Sequence, residues 1–530
     1  MKKQTKYILA IIAIFLLQFV FINPLGEFSL NDSWVHTEIA YHLVETGVFR
    51  MSPYAGPTFY FPILLAAGLI KIFGMSFSIL RISTLFFSLG SLLLFFLFLN
   101  KINKKYHLNF ILTLLLFFNP IFYNLSFTFL TDISALFLFI ASLYFYHQGF
   151  DKKQSWYLFV ASLLAVLGFY TRQTNILIML VAGLYSLSTL KKFNFLKIFL
   201  AFSLPTIIWL ITYILLLQNN LLPQNISSHY INVPIIQLAK NIIWWIFYTS
   251  NYLGFLVLPI SIAYLLKKPK EKLKNIKLWN FIFWPVIITL IIRQTWHQQF
   301  PYIKNIINLY GVGPMQEVLQ GNLQPLLHSK ILGILSLLFA VSFGTLTYIL
   351  FFEKTKKYKI KSFNKFIYLN IIIYLLPILT LYSFDKYYLP VFVLFLVLLS
   401  QKINFKKIYI PLTILLLLIY AIFSISQTQF YLNWNKVRWQ MANTAVITYK
   451  ITNLNQLDAG YEWDGWYTYW LNQEKVKNNL PNQPWWIKHI FINNTADYVV
   501  SFSPLPNYQV LQSQKVQGWN PNNNLYLLKR

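Results

Sequence analysis

Five side chains stand out because an apolar chain gives them no ordinary reason to be where they are: Asp32, His36, Asp132, Arg172 and Lys386. Only 11% of the residues are charged. Asp32 and His36 belong to Asn31-Asp32-Ser33-Trp34-Val35-His36, inside a polar island from about Leu25 to Pro62 that also holds Glu27, Glu38 and Glu45. A carboxylate there can take the proton from an attacking hydroxyl as a general base, or it can cap the helix that the next residues predict over Trp34 to Val44. Asp132, in Phe129-Leu130-Thr131-Asp132-Ile133-Ser134-Ala135, opens another apolar run. An ionisable group at a membrane edge is a functional candidate by default, and Thr131-Asp132 is equally a helix N-cap. If the two aspartates meet, they can share a divalent metal or position a substrate, and the sequence does not choose.

Arg172, in Thr171-Arg172-Gln173-Thr174-Asn175, and Lys386, in Phe384-Asp385-Lys386-Tyr387-Tyr388, are cations at the wrong end of their apolar runs. Fixed positive charge stabilises a departing phosphate. The plainer reading is a cation snorkelling to lipid headgroups, or Lys386 paired with Asp385. Arg293 is a third cation of this kind with a weaker claim. His36 is open to three roles: metal ligand, acceptor contact or interfacial histidine. The tryptophans, including Trp244-Trp245 and Trp463, Trp466 and Trp470, read first as interfacial belt or core, although aromatic faces also stack on sugars.

These residues need elements to position them, and composition says which. With 57% hydrophobic and 19% aromatic residues and a mean hydropathy of +0.53, the chain has too much apolar surface for a water-soluble fold. Apolar runs of about 18–22 residues match a bilayer core about 30 Å thick. The net charge of +29 does not point to nucleic acid, because the lysines are clustered in short loops: Lys2 to Lys6, Lys101 to Lys105, Lys152 and Lys153, Lys191 to Lys197, Lys267 to Lys277, Lys354 to Lys365, and Lys402 to Lys407. These fall at every second loop, as the positive-inside rule requires of cytoplasmic loops. Of the 15 acids only Asp151, Glu271 and Glu353 accompany them. With no cysteine, disulfides, thiolate metal sites and a cysteine nucleophile are excluded.

The lysine markers predict thirteen spans, near 7–24, 82–99, 108–123, 133–147, 156–170, 174–190, 195–217, 241–266, 278–292, 331–352, 366–383, 388–401 and 408–425. The first is read as a retained helix, since no small-residue cleavage site follows it. The N-terminus is then cytoplasmic in a multi-pass plasma-membrane protein. Residues 1–425 form the membrane domain with a first outer loop over 25–81, and 426–530 form a small extracytoplasmic α/β domain. The apolar segment after Thr58 is predicted to lie in the outer interface, because counting it as a span would invert every later lysine cluster. The tail carries turn signals at Asp464-Gly465 and Asn507 and two predicted strands, Asp497 to Phe502 and Leu525 to Lys529.

Four local patterns resemble the GT-C superfamily of polyprenyl-phosphate-sugar-dependent glycosyltransferases, which includes the protein O-mannosyltransferases and the lipid A aminoarabinose transferases. Asp32-Ser33-Trp34-Val35-His36 is similar to the acidic first-loop motif and Thr131-Asp132 to the second acidic motif. Arg172-Gln173-Thr174-Asn175 resembles a stretch of a glucosyltransferase branch, and Phe384-Asp385-Lys386-Tyr387-Tyr388-Leu389-Pro390 resembles an Asp-Arg-Tyr-x-x-Pro pattern of bacterial family-39-like enzymes. Ser33 stands where the family usually has a second acid, and Lys386 where it usually has Arg, keeping charge but losing bidentate geometry. The resemblance implies an all-α polytopic fold of the GT-C kind, a lipid-linked sugar donor and inverting transfer to a glycan, lipid or protein acceptor. Asp32 is the implied base, with His36, Asp132, Arg172 and Lys386 as substrate contacts. No cofactor is assigned, and a divalent metal is left open. The rival readings are a transporter or flippase of lipid-linked glycans, which would more often show repeat symmetry and charges deep in its spans, and a non-catalytic scaffold, which would not need the acidic first loop.

Overall fold

The computed structural model describes residues 2–530 apart from 53–54, 56–57, 189–193, 223–234, 268–270, 272–273, 304, 354–360, 381–382 and 473–495. Most lysines at 191–192, 268–272 and 354–359, and the sequence between 223 and 234, therefore lie outside the described residues.

The chain is mainly helical, and its long apolar helices run back and forth between two ends of one bundle. In order the helices are α1 (Lys2–Leu17), α2 (Ser33–Thr46), α3 (Tyr60–Phe73), α4 (Phe77–Asn103), α5 (Tyr106–Phe117), α6 (Pro120–Ser126), α7 (Thr131–Lys152), α8 (Ser155–Phe169) and α9 (Ile176–Leu187). There follow α10 (Phe195–Gln218), α11 (Ile235–Leu265), α12 (Ile276–Trp296), α13 (Ser329–Phe352), α14 (Lys361–Thr380), α15 (Leu389–Lys402), α16 (Ile410–Thr448) and α17 (Tyr461–Asn472). Local chemistry marks several boundaries. Ser76 caps α4 by accepting from Ile79 N–H, and Asn119 caps α6 ahead of Pro120. Lys104 and Lys153 close α4 and α7 in the left-handed region.

Among the described residues nine helices are long and apolar enough to cross a bilayer, or ten if α5 and α6, bent by 64° at Phe118-Asn119, form one broken span. A helix lies at every position where the sequence predicts a span. The number thirteen is not reached by length, because α8, α9 and α15 are shorter than a full crossing. Exposed Leu204, Ile207, Ile211 and Ile214 of α10 show how a bilayer-facing surface looks when only one side packs on protein. The other departure is α16, which does not stop near 425 but continues to Thr448. Its second half carries buried side chains such as Trp434, Arg438 and Trp439, so burial against the tail replaces lipid as its environment.

Among the described residues, the lysines after α4 and those between α15 and α16 meet at one end. There Lys105 Nζ donates to the carbonyls of Ser400 (2.8 Å) and Ile403 (2.7 Å), Tyr7 hydroxyl meets His107 Nδ1 at 2.5 Å, and Glu353 takes both Lys407 and Tyr264. At the other end α2 and α3 pack together, and α17 packs on α2.

The segment before α13 holds a short antiparallel pair, β1 (Ile307–Asn308) and β2 (Gly311–Val312), and the tail forms a four-stranded sheet of β3 (Leu457–Asp458), β4 (Tyr498–Ser501), β5 (Gln509–Lys515) and β6 (Asn524–Lys529), in the order β3-β4-β6-β5. β3 and β4 are parallel, the other pairs antiparallel, with an irregularity between Val510 and Gln512. Two of these strands are the predicted ones; β3 and β5 are not among those predicted. Gln320 joins the sheet to the long segment before α13, donating to Asp458 Oδ2 at 2.6 Å while its carbonyl accepts from Phe502 N–H at 2.9 Å. Asn507 does turn in the left-handed region, but Asp464-Gly465 lies inside α17 rather than in a turn. The reason is packing: the face of Gly465 lies against the Trp34 indole, and a Cβ there would collide with it.

Candidate functional site

The polar island is explained acid by acid. Glu27 accepts from Ser76 Oγ and Phe77 N–H, both at 2.8 Å, and so caps α4 across space. Glu38 pairs with Arg50 at 2.7 Å, and that guanidinium lies 3.4 Å from the Trp470 ring centroid. Glu45 is exposed. Arg81 of α4 draws the island down, donating to the Phe28 carbonyl at 2.8 Å and to that of Pro24. Three of the four acids are thus structural or solvated, and Asp32 is the one that faces other candidate residues.

Asp32 precedes α2, but its carboxylate makes no capping hydrogen bond; instead Oδ1 accepts from the Tyr461 hydroxyl of α17 at 2.8 Å. Asn31, in the left-handed region, donates its N–H to Glu462 Oε1 at 2.7 Å. Glu462 Oε2 in turn holds fully buried Arg438 at 2.8 Å. A buried pair is weak evidence for stability while intact, yet losing one partner strands the other charge. Glu462→Ala is expected to cost about 3–5 kcal/mol, read as a lowered unfolding midpoint in detergent. A change below about 1 kcal/mol would mean that Arg438 finds other partners.

Asp132 sits in the first turn of α7, again without a capping bond from the side chain. Its Oδ1 lies 2.7 Å from Arg172 Nη2 and its Oδ2 4.0 Å from Lys386 Nζ, so one buried carboxylate holds both cations. Neither oxygen receives a well-directed hydrogen bond, so the contacts are ion pairs by distance and charge. Asn175 explains the Arg172 motif, because its side-chain N–H donates to Ala135 O at 2.8 Å and locks the α8–α9 corner onto the turn of α7 that carries Asp132. Arg172 also lies over the Tyr387 ring at 4.7 Å. Lys386 is not the simple partner of Asp385. Asp385 is fully buried and accepts from Ile307 N–H at 2.7 Å and Ile306 N–H at 3.2 Å, which ties the segment before α13 to this corner. Burial pushes the Asp385 carboxyl up to about 7 against the pull of those donors.

His36, on the first turns of α2, stands among these groups. It is 2% exposed, lies edge-on to Phe59 at 5.0 Å, and its Nδ1 has no hydrogen-bond partner. Burial pulls its pKa down to about 4, and the charges acting on it through space are Asp32, Lys386, Asp132 and Arg172. The charges of Asp32, Asp132, Arg172 and Lys386 all act on buried His36, so the five residues singled out in the sequence share one neighbourhood. A histidine that folds neutral is opposed by protonation of the unfolded chain, whose imidazole titrates near 6.5. Stability is then full above about pH 6.5 and falls as pH drops toward 4, by about 3 kcal/mol. Unfolding midpoints measured from pH 7 to 4.5 should show that slope and lose much of it in His36→Gln.

Among the described residues no three His, Asp or Glu side chains come close enough to hold a metal ion. Arg293, the weaker cation, lies against Gly333 of α13 rather than with this group. Sequence reasoning missed Tyr461, Glu462 and Arg438. The signal available for them was slight: a tyrosine, an acid and an arginine in a polar-aromatic tail, with no motif to join them to Asp32.

No protein-family model matches the chain, and no curated protein matches it either. Two solved structures share its outline: ArnT from Cupriavidus metallidurans bound to undecaprenyl phosphate, at 12% identity, and the same protein in the apo state, at 13%. In both cases the match covers 99% of this chain and 98% of the other, with a TM-score of 0.40, a likeness that assigns neither family nor activity.

Proposed function

We propose that the chain is an inverting glycosyltransferase of the GT-C kind, moving a sugar from a polyprenyl-phosphate donor to a hydroxyl of a glycan, lipid or protein acceptor at the outer face of the cytoplasmic membrane. The observation that carries this reading is the pairing of two cations, Arg172 and Lys386, on buried Asp132, in the same neighbourhood as buried His36 and the Asp32 carboxylate. In the reaction Asp32 takes the proton of the acceptor hydroxyl as its oxygen bonds to the anomeric carbon. The bond from that carbon to the phosphate oxygen breaks with inversion, and its electron pair stays on the phosphate. Arg172 and Lys386 face that charge, with Asp132 holding them side by side until the phosphate arrives. His36, neutral, offers a hydrogen bond to donor or acceptor without adding charge. A donor that arrives through the bilayer needs no soluble nucleotide-binding fold.

The lysine-rich end is cytoplasmic in this reading, which puts the site and the tail outside. The test is transfer from a panel of radiolabelled polyprenyl-phosphate sugars to endogenous glycans in membranes that contain the chain. Transfer from one donor, with release of polyprenyl phosphate, is the expected result. Movement of lipid-linked glycan between leaflets with no transfer from any donor would replace the reading with that of a transporter.

A further inference from the structure

We propose that Tyr461, on the tail helix α17, is a positioning residue for Asp32, so that the tail completes the catalytic base rather than only covering it. This rests on the reading of Asp32 as the base. Among the described residues the hydrogen bond from Tyr461 is the one that the Asp32 carboxylate makes, and it engages Oδ1 at 2.8 Å. Oδ2 is left to receive the proton. The backbone of Asp32 is restrained as well, its N–H donating to Asn31 Oδ1 at 2.9 Å while Asn31 N–H is held by Glu462. Tyr461 itself cannot drift. Its ring is buried edge-on against Trp34, centroids 5.9 Å apart, and its N–H donates to Val318 O at 3.0 Å. Gly460 before it takes a φ of +91°, where a side chain would meet Val318 O and the Arg438 guanidinium. Such an arrangement spends its restraint on one oxygen of one carboxylate, as expected of a group that must hold an attack geometry.

The experiment is Tyr461→Phe in the full chain, with kcat and both KM values measured beside Asp32→Asn and the unfolding midpoint. Phenylalanine keeps the ring contact with Trp34 and removes only the hydroxyl. The expected result is a fall in kcat of about tenfold with each KM within about twofold and an unchanged midpoint, the pattern of a lost transition-state interaction. A kcat equal to wild type, or a fall in which kcat, KM and midpoint move together, overturns the proposal. The two ways of failing are separable. Full activity in Asp32→Asn overturns the base and this inference together, whereas an inactive Asp32→Asn beside a fully active Tyr461→Phe overturns this inference alone. Tyr461→Leu serves as the second variant if Phe lowers expression; it keeps an apolar side chain beside Trp34 with no donor for Oδ1, and a wild-type kcat there also overturns the proposal.

Discussion

Asp32→Asn is expected to lower kcat by about a thousandfold with donor and acceptor KM little changed, since a positioned general base contributes about 10²–10⁴. The change is nearly isosteric. The amide oxygen can still accept from Tyr461, so the contact at 2.8 Å and the packing of α2 on α17 survive, and what is lost is the basic oxygen. The structural alternative for Asp32 was a helix cap, and its carboxylate makes no such bond; Ser33 Oγ instead accepts from Leu30 N–H at 3.0 Å. Loss of activity in Asp32→Asn with normal expression and an unchanged unfolding midpoint therefore reports on chemistry. A rate within threefold of wild type would remove Asp32 from the mechanism.

The second large effect is expected at the paired cations. Arg172→Gln and Lys386→Gln should each reduce kcat/KM for the donor by about a hundredfold, the scale of one lost charge-stabilising donor at a reacting oxygen. Arg172 should be the more sensitive, because it contacts Asp132 at 2.7 Å against 4.0 Å for Lys386 and is braced by Tyr387. Arg172→Lys should recover only part of the loss, keeping charge without the planar fork. The double variant should fall short of the summed effects, since both cations share one carboxylate and each substitution reorganises the other. Cations that merely snorkel to lipid headgroups would give near-normal kcat/KM in all three single variants, and that outcome would sink the phosphate role. Steady-state rates at varied donor concentration decide between them.

How much of this was legible beforehand differs by level. The helices were, because a run of apolar residues long enough for a bilayer announces itself locally, whatever it packs against. Their ends were less so: α16 outruns its apolar stretch by more than twenty residues since Tyr431, Trp434 and Trp439 exchange lipid for the tail as their surroundings. Asp464-Gly465 misled for a related reason, a glycine chosen for close contact with Trp34 rather than for a turn. The strand β5 escaped because its side chains are mostly solvated and no alternation of apolar residues marks it.

By itself the sequence determined that this is a multi-pass helical membrane protein with its lysines segregated by loop, and it singled out Asp32, His36, Asp132, Arg172 and Lys386 as polar groups out of keeping with their surroundings. These are properties of composition and short-range order. Only the tertiary structure decided which of the acids have structural partners, that Asp132 rather than Asp385 faces Lys386, and that Asp32 meets Tyr461 across 429 residues of chain. The physical reason is that a buried charge or hydroxyl needs a partner within about 3 Å. In a bundle of this size that partner is supplied by whichever helix end packs alongside, which no local spacing encodes.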